Sequence, residues 1–235
     1  KAVLCKAFGP AETLVLEDVE SPAIKKNEIL LDVHAAGVNF TDTLIIEGKY
    51  QFKTPFPFSP GGEAAGEIDA IGADVTGFKP GDHEIALVGW GGMAEQAVAE
   101  ESDAWVIPAS MDFTDAGAFP IAYLSSDVAI RWQGRLEQGE TLIVLGAAGG
   151  VGLTAVEIGK AMGARVIAGA SSTEKLEVAK QRGADQCINY QTEDLKKRVM
   201  ELTDGKGVDV VYDPVGGALF DPALSSLGWG GRYLV

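Results

Sequence analysis

Cysteine, histidine and basic residues are all scarce in this 235-residue chain, and no apolar run is long. Cys5 and Cys187 stand far apart with no Cys-x-x-Cys spacing, which excludes a disulfide framework and a dithiol motif. Both thiols are expected to be reduced and buried. With His34 and His83 as the only histidines, a tetrahedral zinc site of the usual spacing cannot be assembled, so no metal is expected. No stretch approaches the ~18 apolar residues of a membrane span, and no signal-peptide pattern is visible. The cytoplasm is therefore the expected compartment. Nineteen Lys and Arg against 34 Asp and Glu give a net charge of −15, which repels phosphate backbones and anionic lipid. Nucleic acid and membrane are not expected partners, and a small molecule is. Any anionic ligand must be held by local groups.

Glycine and apolar residues, by contrast, are plentiful. The segment Thr141-Leu-Ile-Val-Leu-Gly-Ala-Ala-Gly-Gly-Val-Gly152 reads as a buried strand, a glycine-rich turn and the start of a helix. Ala147-x-Gly149-x-x-Gly152 fits the dinucleotide fingerprint with Ala in place of the first glycine. Gly149, Gly150 and Val151 would bring backbone N–H groups to a pyrophosphate, and Gly152 would let the helix pack on the strand. A helix over Val151–Met162 and a second strand over Arg165–Ala170 complete a βαβ unit, which is far more specific than three glycines. NAD-binding sheets usually end that second strand in a carboxylate for the ribose hydroxyls. Here the place reads Gly169-Ala-Ser-Ser172 with Lys175 close behind, which suits the 2'-phosphate of NADPH. Ser171 or Ser172 also serves to cap a helix Thr173–Gln181. Tyr190, at the end of the third strand, reads either as flanking the adenine-ribose end or as a packing aromatic.

Two domains are expected, 1–118 and 119–235. The first reads as short strands broken by Gly and Pro, a compact barrel-like β domain. The second alternates strands near 141–145, 165–169, 186–189, 208–212 and 232–235 with helices, the pattern of a parallel sheet. Residues Asp112–Gln133 read as helix between them. Because the sequence stops inside an apolar strand, a fragment with an incomplete sheet is expected, against the alternative of a natural five-stranded sheet.

Five ordered segments together resemble the zinc-free, zeta-crystallin-like NADPH:quinone oxidoreductases of the medium-chain dehydrogenase/reductase superfamily. They are Ala36-Gly-Val-Asn-Phe-Thr-Asp42, Pro57-Phe-Ser-Pro-Gly-Gly-Glu-Ala-Ala-Gly66, Gly77-Phe-Lys-Pro-Gly-Asp82, Ala147–Gly152, and Ser171-Ser172 with Lys175. The resemblance implies an α/β protein with a GroES-like β-barrel domain and a Rossmann-type domain, truncated at the C-terminus because the family chain is longer. Zinc-dependent relatives carry a Cys just before Thr41-Asp42 and Gly-His-Glu where this chain has Gly61-Gly62-Glu63. Neither ligand is here.

The implied activity is hydride transfer from NADPH to a quinone or an α,β-unsaturated carbonyl without metal. Alternatives are an enoyl-CoA reductase of the acryloyl-CoA type, or a non-catalytic NADPH-binding protein. The resemblance places Asn39 at the developing oxyanion or the nicotinamide amide, Asp42 in the supporting turn and Tyr50 on the substrate side. Asp42 also reads as the N-cap of a helix Thr43–Glu47, and Tyr50 as a surface aromatic. Ser125 keeps a hydroxyl for the nicotinamide end or a phosphate, whereas Asp127 stands where relatives have an aromatic. Glu84 departs from the family in a strand that prefers apolar residues. Asp213 reads as a border of the nicotinamide ribose or as part of a turn. A homodimer is expected of the full-length chain.

Overall fold

The structure is a computed structural model that describes residues 1–235. It divides into two compact units, Lys1–Ile121 and Ala122–Val235.

In the first unit, β1 (Ala2–Leu4) and β2 (Val15–Glu17) form a small antiparallel ribbon. β3 (Glu28–Ala36) is followed by α1 (Phe40–Ile46), β4 (Glu63–Ile71), β5 (His83–Leu87), β6 (Gln96–Glu100) and β7 (Ala104–Val106). The five longer-range strands make an antiparallel sheet in the order β6-β3-β4-β5-β7. Alternate residues of β3, Ile29 and Leu31, turn inward with Ala86, Ala99 and Ala104, as half-buried strands require. Two register shifts between β3 and β4 curl the sheet. Gly66 sits at one of them, where a Cβ would lie 2.0 Å from the Asp32 carbonyl oxygen. These features make the curled, GroES-like half of the expected fold.

The stretch expected to be one helix over Asp112–Gln133 is broken. α2 (Phe113–Gly117) is capped by the Asp112 carboxylate, α3 runs Pro120–Asp127, and a π turn occupies Val128–Gln133. The physical reasons are local. Gly117 is pressed on Ala35, and Pro120 lacks an N–H and so begins a new helix.

The second unit contains β8 (Thr141–Leu145), α4 (Gly150–Ala161), β9 (Arg165–Ala170), α5 (Thr173–Gln181), β10 (Gln186–Asn189), α6 (Leu195–Leu202), β11 (Val208–Tyr212), α7 (Phe220–Leu224) and β12 (Leu227–Leu234). All five strands are parallel, in the order β10-β9-β8-β11-β12. β8 lies in the middle because it is apolar on both faces. Leu142 and Val144 pack with Ala155 and Val156 of α4, while Ile143 and Leu145 pack with Val199 of α6 and Ala223 of α7. Fully burying each such side chain contributes roughly 2 kcal/mol. β12 begins five residues earlier than its apolar end suggests, since Val208 pairs with Leu227 before a register shift admits Gly228–Gly231.

Candidate functional site

The glycine turn follows directly from β8. Gly146 takes φ +61°, a left-handed value that favours glycine, so the sharp turn is made one residue before the position the fingerprint assigns. Ala147 is then free to bury its methyl completely in the core, which is how an alanine is tolerated there. A Cβ on Gly152 would stand 2.2 Å from the Gly146 carbonyl oxygen, so only glycine lets α4 come this close to the turn. Gly149 is the N-cap of α4 and offers no side-chain cap. The first-turn N–H groups of α4 therefore remain available, and Gly149 and Gly150 are exposed. Open space surrounds the Cβ position of Gly150. A cradle of bare N–H groups at the positive end of a helix fits the pyrophosphate of a dinucleotide.

Behind this cradle lies a contact the sequence reading missed. Ser126, wholly buried on α3, donates to the Val151 carbonyl at 2.7 Å and meets the Thr154 hydroxyl at 2.8 Å. The candidate residue Ser125 is instead exposed on α3. Thr154, a hydroxyl on the buried face of α4, was the available signal that a polar partner would be found there.

At the far end of β9, Ser172 is the N-cap of α5 and accepts from the Lys175 N–H at 3.4 Å. The Lys175 ammonium is 3.1 Å from the Ser171 hydroxyl, and its side chain is exposed. The Tyr190 ring edge lies 3.5 Å from the Cβ position of Gly169, against the end of β9. Ser171, Ser172 and Lys175 are thus brought together at the end of β9, while Tyr190 is placed against Gly169. One carboxylate was left out of the sequence reading: Glu174 accepts from the Ser172 hydroxyl, and this bond with its own backbone N–H holds its pKa down.

The loop after β11 joins the same turn. Val215 reaches Gly146, with its Cγ2 2.8 Å from the Cβ position there. Asp213, nearly inaccessible, accepts from the N–H groups of Val215 (3.0 Å) and Gly216 (2.8 Å) and from the Tyr233 hydroxyl (2.6 Å). Its carboxylate is thus spent on shaping the loop. Burial and the Asp213 charge push the Tyr233 phenol well above its ordinary range.

In the first unit, Asn39 and Asp42 are brought together at the start of α1, whereas Tyr50 lies beyond its end. Asn39 is the N-cap of α1, and its backbone N–H donates to Asp42 Oδ2 at 2.8 Å. The expectation that Asp42 caps a helix Thr43–Glu47 is corrected: α1 starts at Phe40, and Asp42 is its third residue, reaching back to the cap. Its other oxygen accepts from the Gly61 N–H at 3.3 Å. The Asn39 side-chain amide donates to Glu63 Oε1 at 2.7 Å, while Glu63 Oε2 takes the Ile121 N–H at 2.7 Å. Glu63 is 1% exposed, and Gly37 is small because a Cβ there would lie 2.1 Å from this carboxylate. Burial raises the pKa of both acids, opposed for Glu63 by the Ile121 and Asn39 bonds and for Asp42 by the Asn39 and Gly61 bonds. Tyr50 packs on the apolar cluster of Cys5, Ile45, Ile46 and Phe58.

Other expectations resolve locally. His34 and His83 both lie against Phe113, with ring centroids 4.4 and 4.8 Å away. Cys5 is buried, but Cys187 is only partly so. Asp127 is paired with Arg131 one turn on, at 3.1 Å. Glu84 is completely buried in β5 with neither carboxylate oxygen hydrogen-bonded.

A parallel sheet with a glycine-turn cradle, accompanied by a curled antiparallel sheet, defines a nucleotide-binding dehydrogenase-like class. Residues 25–109 match the alcohol dehydrogenase GroES-like domain model, and residues 150–235 match the model described as zinc-binding dehydrogenase. Quinone oxidoreductase-like protein 2 of Rattus norvegicus is 39% identical over 100% of this chain and 67% of its own length. Quinone oxidoreductase of Homo sapiens is 32% identical, with 100% and 72% covered. Among crystal structures, a probable oxidoreductase from Mycobacterium abscessus superposes with TM-score 0.93 at 40% identity, covering 99% of this chain and 73% of that one. Escherichia coli quinone oxidoreductase complexed with NADPH gives TM-score 0.90 at 32% identity, with 96% and 69% covered. The chain belongs to the zinc-free quinone oxidoreductase family of the medium-chain dehydrogenase/reductase superfamily. It spans about two thirds of the length of the relatives it matches. No helix is long and apolar enough to cross a membrane.

Proposed function

We propose that the protein is an NADPH-dependent reductase that transfers hydride to a quinone or an α,β-unsaturated carbonyl without a metal. The carrying observation is the α4 cradle together with the Ser171–Lys175 pair at the ribose end. NADPH, when bound, supplies the hydride. Gly149, Gly150 and Val151 hold the pyrophosphate through backbone N–H groups, with Ser126 and Thr154 fixing the first turn of α4. Ser171, Ser172 and Lys175 receive the 2'-phosphate, and Tyr190 flanks the adenosine end. The exposed Ser125 hydroxyl serves the nicotinamide end.

In the first unit, Glu63 and Asp42 fix Asn39 from two sides. One amide hydrogen is already committed to Glu63, which leaves the second to meet an acceptor oxygen as it gains charge, or the nicotinamide amide. Tyr50 stands on the acceptor side. The NADPH complex of the Escherichia coli enzyme supports the cofactor assignment. An enoyl thioester is the second reading, favoured by the likeness to CurK enoyl reductase at TM-score 0.88 and 28% identity.

Fluorescence titration of the full-length protein with each cofactor tests the assignment. NADPH is expected to bind about tenfold or more tightly than NADH, and Lys175→Ala to erase most of that margin. Tighter NADH binding by the wild type would refute it.

A further inference from the structure

The glycine turn and the first two turns of α4, residues 146–156, contain no Lys or Arg. Without a basic side chain of its own, this segment can meet an anionic diphosphate only through peptide N–H groups and the helix dipole. The strength of those donors therefore matters. Leu153 donates its N–H to the Gly149 carbonyl at 2.8 Å, which leaves the N–H groups of Gly150, Val151 and Gly152 ahead of the first helical bond.

Hydroxyls gather behind those same peptides. A helix carbonyl gives one lone pair to the N–H four residues on, and its second is free for another donor. Ser126 donates to the Val151 carbonyl at 2.7 Å, and the Thr154 hydroxyl lies 3.1 Å from the same oxygen and 3.3 Å from that of Gly150. The Val151 carbonyl and the Gly152 N–H are two ends of one peptide group, as are the Gly150 carbonyl and the Val151 N–H. Donation to the oxygen polarises the peptide and makes its N–H a stronger donor. The hydroxyls are also fixed in place. Ser126 and Thr154 are 2.8 Å apart, Thr154 reaches the Ala122 carbonyl of α3 at 3.1 Å, and the buried Tyr212 hydroxyl at the end of β11 bonds Ser126. α3, α4 and β11 thus meet at one serine. A buried hydroxyl costs stability unless it is bonded, and alanine at both positions would carry no such demand.

We propose that Ser126 is a positioning residue that sets the donor strength of the α4 cradle, and with it the affinity for the diphosphate that NADPH and NADH share. The proposal rests on the cofactor reading given above. Within that reading the labour is divided: Ser171, Ser172 and Lys175 discriminate between the two cofactors, whereas Ser126 acts on both alike. Ser126→Ala leaves Thr154 with the Ala122 and Val151 carbonyls as acceptors, so its hydroxyl is not orphaned.

The test is calorimetric titration of the full-length protein with NADPH, NADH and 2'-AMP, using wild type, Ser126→Ala and Ser126→Cys. Ser126→Ala is expected to weaken NADPH and NADH by the same factor, about fivefold, and to leave 2'-AMP, which has no diphosphate, within about twofold of wild type. Ser126→Cys keeps a weak donor and should fall between. Equal NADPH affinity in wild type and Ser126→Ala overturns the positioning role, as does a loss confined to NADPH. A matching loss of 2'-AMP also overturns it, because the whole unit rather than the cradle would then be disturbed. Failure of the wild type to bind NADPH refutes the cofactor reading itself and takes this role with it.

Discussion

Glu63 and Glu84 lie on adjacent strands of one sheet, and both are shut off from water, yet their surroundings set them to different tasks. Glu63 has its two oxygens occupied by Asn39 and Ile121. Glu84 has neither oxygen bonded, and burial, with Asp82 adding repulsion, raises its pKa to about 8. Native protein therefore keeps a proton on Glu84 that the unfolded chain has already lost above the usual carboxylate range. Stability should fall as pH rises from about 4.5 towards 8 and then level off. The full penalty is on the order of 5 kcal/mol. Glu84→Val should flatten this dependence, seen as urea midpoints that change much less between acidic and alkaline buffer than those of wild type. Parallel midpoints for the two proteins would contradict the account.

For Glu63 the expected consequence is catalytic. Glu63→Ala frees the Asn39 amide and leaves the Ile121 N–H unsatisfied, so kcat should drop by about tenfold or more. Glu63→Gln keeps an acceptor for one of these bonds and should fall between. Parity of Glu63→Ala with wild type would remove the positioning role. Glu84 was visible in the sequence as a carboxylate in an apolar strand. The Asn39–Glu63 bond was not, because it spans 24 residues and depends on how β3 and β4 are registered.

At the level of elements, the contact between α4 and its turn carries the most weight. Gly152→Ala places a methyl against the Gly146 carbonyl and must push α4 outward. NADPH affinity is expected to drop by about tenfold or more, while the sheet persists by circular dichroism. Unchanged affinity would show that the cradle is not the anchor. The loop Asp213–Gly217 offers an independent check. Tyr233→Phe removes one of three bonds to Asp213, and amide exchange at Val215 and Gly216 should quicken without global unfolding. Exchange as slow as in wild type would mean that the remaining two bonds suffice.

The βαβ unit was legible because its glycines, apolar strands and helix period all agree. Helix phase was less so. Ser125 and Ser126 are indistinguishable by residue type, and only the packing of α3 shows that Ser126 meets Val151 and Thr154. Asp42 was misread for a related reason. α1 begins three residues earlier, at the Asn39 cap, and the aspartate belongs to its first turn. The break in 112–133 arises from Gly117 lying on Ala35, a contact between distant segments that local propensity cannot report.

For the whole molecule, the strongly acidic composition makes the local character of anion binding a testable point. A chain of net charge −15 gains nothing from its overall field when it binds a polyanionic cofactor. In the proposed site, affinity comes from α4, Ser171 and Lys175 acting at short range. The two kinds of sheet were legible from the change in strand and helix spacing. The bonds around Asn39 were not, because they form only after α1, β4 and Ile121 have come together. The central claim is hydride transfer from NADPH to a conjugated acceptor. Its most direct test is to follow the loss of NADPH absorbance by metal-free, full-length protein with a quinone, an enone and an enoyl thioester in turn. Oxidation with the quinone or the enone, faster with NADPH than with NADH, is the expected result. NADPH binding with no oxidation by any of the three would contradict it.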